Sequence, residues 1–209
     1  MLFRSIQHFI ENIKHTSPLE YIAVVAGILS VWFSKKENIL VYPVGLINTI
    51  AYVYLSMNQS LFGEASVNFY YTVMSFVGWW AWSKKDMSQR PVLHISYSTA
   101  KEWMNHVLFF LFFYVSIFLA LTWVKEAFYA NTVPALDAFA SASAFTGMWL
   151  MTRKKVESWY WWIITNITSI PLYFYKGLVL TSVYYFILLI LAIFGLIEWR
   201  KKVKQHGGH

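Results

Sequence analysis

Apolar positions in this chain come in long unbroken runs, not in the period-two alternation of strands or the narrow stripe of a soluble helix. Seven runs are long enough to cross a hydrocarbon layer of about 30 Å as helices. They fall at residues 19–34, 39–57, 65–82, 103–124, 133–151, 159–175 and 178–199. Most connections between them are short, so neighbouring spans are read as antiparallel hairpins. Barrel strands are excluded, because they would alternate where these runs are continuous. The pattern predicts an all-α membrane protein with seven transmembrane helices. Residues 2–15 differ: Leu2, Ile6, Phe9, Ile10 and Ile13 recur at helical spacing, with Arg4, Ser5, His8, Glu11 and Asn12 on the other face. This spacing predicts a helix at 1–16 lying in the membrane interface.

Self-similarity adds to this picture. Pro18 matches Pro134 at an offset of 116. Glu20 matches Asp137, Trp32 matches Trp149, Gly78 matches Gly195 and Trp82 matches Trp199, all at 117. Lys36 matches Lys154 and Asn48 matches Asn166, both at 118. Two copies of a three-helix unit are therefore expected, at 17–83 and 133–202. A loop and linker helix at 84–132 join them and a disordered tail occupies 203–209. Span four restores the direction that an odd number of spans reverses, so the copies are parallel: a 3+1+3 arrangement. Its Phe109, Phe110, Phe112, Phe113 and Phe118 point to all sides, as suits a peripheral helix facing lipid or a neighbouring subunit.

Composition agrees with a membrane location: 58% of residues are apolar, 20% aromatic and only 13% charged. The chain has no cysteine, which excludes disulfides, thiolate metal sites and thiol catalysis. No cleavable signal peptide is expected, since Arg4, His8, Glu11 and Lys14 interrupt the apolar positions at the start. The net charge of +7 is topogenic. Of the Lys and Arg residues, 13 lie on one side of the spans and only Arg4, Lys14, Lys125 and Lys176 on the other. The positive-inside rule then puts the N-terminus outside and the C-terminus in the cytoplasm, with no nucleic-acid partner expected.

Polar groups inside a bilayer are costly and mark function. In span six, Trp159, Trp162, Asn166, Ser169 and Tyr173 fall within about 80° on a helical wheel. Gly45, Asn48, Tyr52 and Leu55 share a face of span two. Asn68, Thr72, Ser75 and Trp79 share one of span three, and Asp137, Ser141, Ala144 and Met148 one of span five. Their convergence on one cavity predicts a carrier with a substrate site near the midplane, built from Asn48, Tyr52, Asn68, Trp79, Asp137, Ser141, Trp159, Trp162, Asn166 and Tyr173. The alternatives are ordinary. Asn48 and Asn166 could bond between helices, Trp159 could anchor at the interface, and Asp137 could favour the first turn of its helix. No nucleotide-binding glycine loop, Ser-His-Asp set or metal-ligand cluster occurs, so neither enzyme, cofactor nor metal is expected. No Lys or Arg lies mid-span, which disfavours a phosphorylated substrate. Indole faces with Asn, Ser and Tyr suit a neutral or cationic molecule with hydroxyls and a flat ring.

The run Glu157-Ser-Trp159-Tyr-Trp-Trp162-Ile-Ile-Thr-Asn166 resembles the Glu-x-Trp-x-x-Trp-Ile-x-x-Asn stretch of PnuC-type vitamin transporters. Ile47-Asn48 to Tyr54, Leu61-Phe-Gly-Glu64, Gly78-Trp79, Tyr173-Phe-Tyr-Lys-Gly177, Thr181-Ser182 and Gly195-Leu-Ile-Glu-Trp199 are similar to other parts of that family. The resemblance implies two three-helix bundles like those of SWEET-type sugar transporters, assembled as a homotrimer in the bacterial inner membrane. It implies uptake of nicotinamide riboside, with thiamine or riboflavin carried by relatives. Transport would be facilitated diffusion, trapped by a cytoplasmic vitamin kinase. It favours Trp159, Trp162 and Asn166, together with Asn48, for the site.

Overall fold

The computed structural model describes residues 17–58, 62–128 and 133–206. The interfacial helix predicted at 1–16 lies outside these, as do residues 207–209. Seven helices follow in order: α1 (Pro18–Lys35), α2 (Val41–Asn58), α3 (Phe62–Ser83), α4 (Ala100–Phe128), α5 (Pro134–Thr152), α6 (Ser158–Tyr175) and α7 (Val179–His206). Each has at least 18 residues and so is about 27 Å long or longer. By length and composition α1, α4 and α7 can cross a membrane unaided. The others carry more polar and aromatic residues, which turn to neighbouring helices: Thr72 of α3 meets Thr49 of α2 at 2.9 Å, and the Tyr70 hydroxyl of α3 donates to the Phe145 carbonyl of α5. α7 continues through Val203–His206, where the sequence pattern places the start of a tail.

Local chemistry starts these helices where they start. Ser17 caps α1 by accepting from the Glu20 amide, with Pro18 in the first turn. Thr99 and Glu102 form a reciprocal capping box before α4. Pro134 opens α5, and the Asp137 carboxylate accepts from the Val133 amide.

The helices close into a ring. α1 packs on α2, α2 on α3, α3 on α5, α5 on α6, α6 on α7, and α7 back on α1; α4 lies outside the ring along α5, and its Phe110 and Phe113 reach Trp161 of α6 and Tyr70 of α3. The two contacts between repeats, α1 with α7 and α3 with α5, exchange under a two-fold axis down the ring. Ion pairs fix the direction. Lys35 and Lys36 after α1 reach Glu198 of α7, and Glu37 meets Lys154 beyond α5, so α1, α5 and α7 end on one side. The repeats are thus parallel. α5 runs between α3, α4 and α6, and its middle is rich in small buried residues: Ala138, Ala140, Ala142, Ser143, Ala144, Thr146 and Gly147. Small side chains let helices approach closely where lipid provides no hydrophobic drive.

The structure corrects the repeat register. α2 and α6 begin at residues 41 and 158, 117 apart, and both have 18 residues. Glu37 and Lys154, at the same offset, share a left-handed backbone (φ 59° and 52°). Lys154 is therefore the counterpart of Glu37 rather than Lys36, and Asn48 is the counterpart of Thr165 rather than Asn166. One residue is about 100° around a helix, so the two asparagines face different ways.

Candidate functional site

The predicted site residues lie at three levels along the ring. In the middle, Trp162 of α6 lies against α5 at Gly147, where an added Cβ would stand 3.2–3.3 Å from the indole. Tyr71 of α3 packs against the indole at a tilt, with ring centroids 6.1 Å apart. Behind it Tyr70 stacks on Phe145 at 4.1 Å. One turn along α6, Asn166 is only 2% exposed, yet its side-chain amide makes no hydrogen bond among the described residues. Ser141 of α5 is half-buried and likewise unbonded among them. Asn166 is not among the fully enclosed polar side chains that lack a partner, so its amide keeps access for a ligand group to bond. An indole face beside a free amide suits a flat, electron-poor ring bearing a polar substituent.

Asn48 behaves otherwise. Its Nδ2 donates to the Ala23 carbonyl of α1 at 2.7 Å, so it clamps α2 to α1. A methyl group at Gly27 of α1 would stand 2.8 Å from that Nδ2 and would clash with the Tyr184 hydroxyl of α7. Asn48 and Tyr184 thus converge on the bare flank of Gly27. Tyr71, Tyr184, Gly27 and Gly147 are absent from the sequence-predicted set. The available signal was the glycines: a glycine inside a span weakens the helix, and here each marks a close approach.

Trp159 forms the floor at the end of the ring where α1, α5 and α7 finish. It is 1% exposed, packs edge-on against Trp199 at 5.5 Å, and would meet a Cβ at Gly195 at 2.5–2.6 Å. At the opposite end, Tyr173 stacks on Tyr185 at 5.2 Å, and Tyr52 lies within electrostatic reach of Glu20, Glu64 and Tyr185. Asp137, expected to face substrate, is ion-paired with Lys176. Two predicted residues do not join the others. The Asn68 amide donates to the Glu64 carbonyl of its own helix. Trp79 is 38% exposed and makes no ring contact among the described residues. Every described Lys and Arg side chain sits at a helix end or in a loop, none at the middle level.

Comparison with known proteins finds relatives over the whole chain. The profile described as nicotinamide mononucleotide transporter matches residues 17–201. The chain is 29% identical to nicotinamide riboside transporter PnuC of Neisseria mucosa, over all of this chain and 81% of that protein. It is 25% identical to nicotinamide riboside transporter PnuC of Escherichia coli, over 99% of this chain and 98% of that one. A crystal structure of the vitamin B3 transporter PnuC superimposes with a TM-score of 0.71 at 28% identity, covering 98% of this chain and 90% of the other.

Proposed function

The chain belongs to the nicotinamide mononucleotide transporter family, and from that premise we propose that its own cargo is the dephosphorylated nicotinamide riboside. Membership makes it an integral membrane transporter of a small molecule, not an enzyme. The observation that carries the choice of riboside is the middle level itself. Trp162 and Tyr71 offer aromatic faces to a pyridinium ring, Asn166 offers an unbonded amide, and no described cation is present to meet a phosphate. A phosphate monoester would lose its hydration there without compensation, whereas the ribose hydroxyls need only neutral partners.

Calorimetry on purified protein tests this. Nicotinamide riboside binds, and the mononucleotide binds at least about a hundredfold more weakly, the consequence of a few kcal/mol of uncompensated desolvation. Equal affinities would overturn the reading. Thiamine, also cationic and flat, is the comparison ligand: tighter binding of thiamine would reassign the cargo and leave the site in place.

Transport runs down the substrate gradient, because among the described residues the acids lie near helix ends or in loops and form no relay through the middle level. Phosphorylation by a cytoplasmic kinase then holds the product inside. The exposed side of α4, with Leu108, Phe112, Leu119 and Trp123, supports a trimer contact. The N-terminus lies outside and the C-terminus inside, on the charge bias. Reporter fusions after residue 87 should read as cytoplasmic and fusions near residue 130 as external; the reverse pattern would invert the transporter.

A further inference from the structure

The ends of α1, α3, α5 and α7 meet in a set of contacts that repeats itself across the pseudo-two-fold axis. The Trp82 indole of α3 donates to the Met151 carbonyl of α5 at 3.3 Å, and its counterpart Trp199 of α7 donates to the Ser34 carbonyl of α1 at 3.1 Å. Ser34 and Met151 are themselves counterparts and touch, Oγ to Sδ at 2.9 Å. Tyr42 packs edge-on against Trp82 at 5.2 Å, as its counterpart Trp159 does against Trp199 at 5.5 Å. Each of these indole bonds crosses from one repeat to the other. Together the four rings fill the floor below the middle level.

A charged group sits on top of the crossing. Glu37 Oε1 accepts from Lys154 Nζ at 2.8 Å and Oε2 from Lys202 Nζ at 3.0 Å. Lys154 also lies 4.7 Å over the Trp82 ring. The carboxylate comes from repeat one, and both ammonium groups come from repeat two. Burial pushes the Glu37 carboxyl up, but the two ammonium groups outweigh it and hold it below the ordinary carboxylate range. The group borders a depression of about 590 Å³ lined by Asn38, Lys85 and Pro91 among others, so it opens to solvent. Inside the floor, Tyr42 Oη and Trp159 Nε1, again counterparts, are buried without partners among the described residues. Closure therefore carries an unmet polar cost that opening would relieve, offset by the charges and the two crossed indole bonds. Such opposed terms characterise a two-state element.

We propose that this two-fold contact is the cytoplasmic gate of the transport path, closed in this structure, with Glu37, Lys154 and Lys202 as its latch and the crossed Trp82 and Trp199 as its bolts. The proposal rests on the transporter reading. It requires the repeats to separate at this end once per cycle while the ring stays intact at the other.

The absence of cysteine makes the test clean. Glu37→Cys/Lys154→Cys is joined by a short bifunctional thiol reagent in proteoliposomes. Uptake of nicotinamide riboside stops on cross-linking and returns on reduction, while calorimetric binding persists. Uptake continuing at the uncross-linked rate in fully cross-linked protein would overturn the gate. Independently, Ala192→Cys, at a buried floor position, reports opening by its labelling rate with a water-soluble maleimide. Glu37→Gln raises that rate about tenfold, between what an exposed and a fully buried pair would give. The exchange Glu37→Lys/Lys154→Glu brings it back towards the parent. An unchanged rate in Glu37→Gln also counts against the latch. If riboside binds in neither cross-linked nor reduced protein, the cargo assignment fails, and the labelling arm still judges the gate.

Discussion

Trp162→Leu lowers affinity for nicotinamide riboside about tenfold, the loss of roughly 1–2 kcal/mol of stacking on a cationic ring. Its melting temperature falls as well, because the indole packs on the bare side of Gly147 and against the core and its truncation leaves a cavity, so affinity is read in the folded protein. Asn166→Ala loses a comparable amount of affinity, since the ligand group that meets the amide is left unpaired. It costs little stability, because the amide holds no neighbouring helix. Asn48→Ala serves as the contrast. It breaks the 2.7 Å bond to Ala23, so it lowers the melting temperature first. Trp161→Leu is the second contrast. Trp161 lies off the Trp162 face and packs on Phe110 of α4 with centroids 5.0 Å apart. It should therefore loosen the linker helix and leave affinity unchanged. Melting temperature and dissociation constant, measured for all four, separate the roles. Parental affinity in both Trp162→Leu and Asn166→Ala would remove the middle-level site.

Gly195→Val has the largest expected effect on stability. A Cβ there stands 2.5–2.6 Å from the Trp159 ring, and the indole is held from behind by Trp199. No flexible end can yield, so α6 and α7 must part. Overpacking of this kind costs about 1–3 kcal/mol, with more when rigid groups block relief. Gly78, its counterpart, approaches the Tyr42 ring of α2 in the same way and should respond alike. Gly177→Ala tests the other use of glycine. Nothing lies within 4 Å of the added carbon, but φ is +79°, so only backbone strain of about 1–2 kcal/mol is paid. Thermal unfolding in detergent gives the order Gly195→Val below Gly177→Ala below parent. A Gly195→Val protein as stable as the parent would mean that the helices are not packed as described.

Hydropathy located all seven helices, because a span needs a continuous apolar run whatever its neighbours are; only the end of α7 was missed, which runs on to His206 where the apolar run stops at Trp199. The duplication was legible for a related reason: Gly78 with Gly195 and Trp82 with Trp199 do the same packing work twice. The site was only partly legible. A helical wheel shows that Asn68 and Trp79 share a face with Thr72 and Ser75, but not which neighbour that face meets. Asn68 satisfied itself on its own helix, and Trp79 remained partly exposed, which a membrane protein tolerates since lipid accepts indole as readily as a core does. Matching by residue identity also misled. Asn48 and Asn166 are alike in type but one residue out of register, as the starts of α2 and α6 and the shared left-handed turns at Glu37 and Lys154 show. Asp137 looked available because its partner, Lys176, is 39 residues away.

Uptake of labelled nicotinamide riboside by proteoliposomes, with no ion gradient across the membrane, tests the central assignment most directly. Protein-dependent uptake that rises to the external concentration and stops there, and that falls in Trp162→Leu, is the expected result. Uptake no faster than in protein-free liposomes, or accumulation above the external concentration when a proton or sodium gradient is imposed, would contradict it.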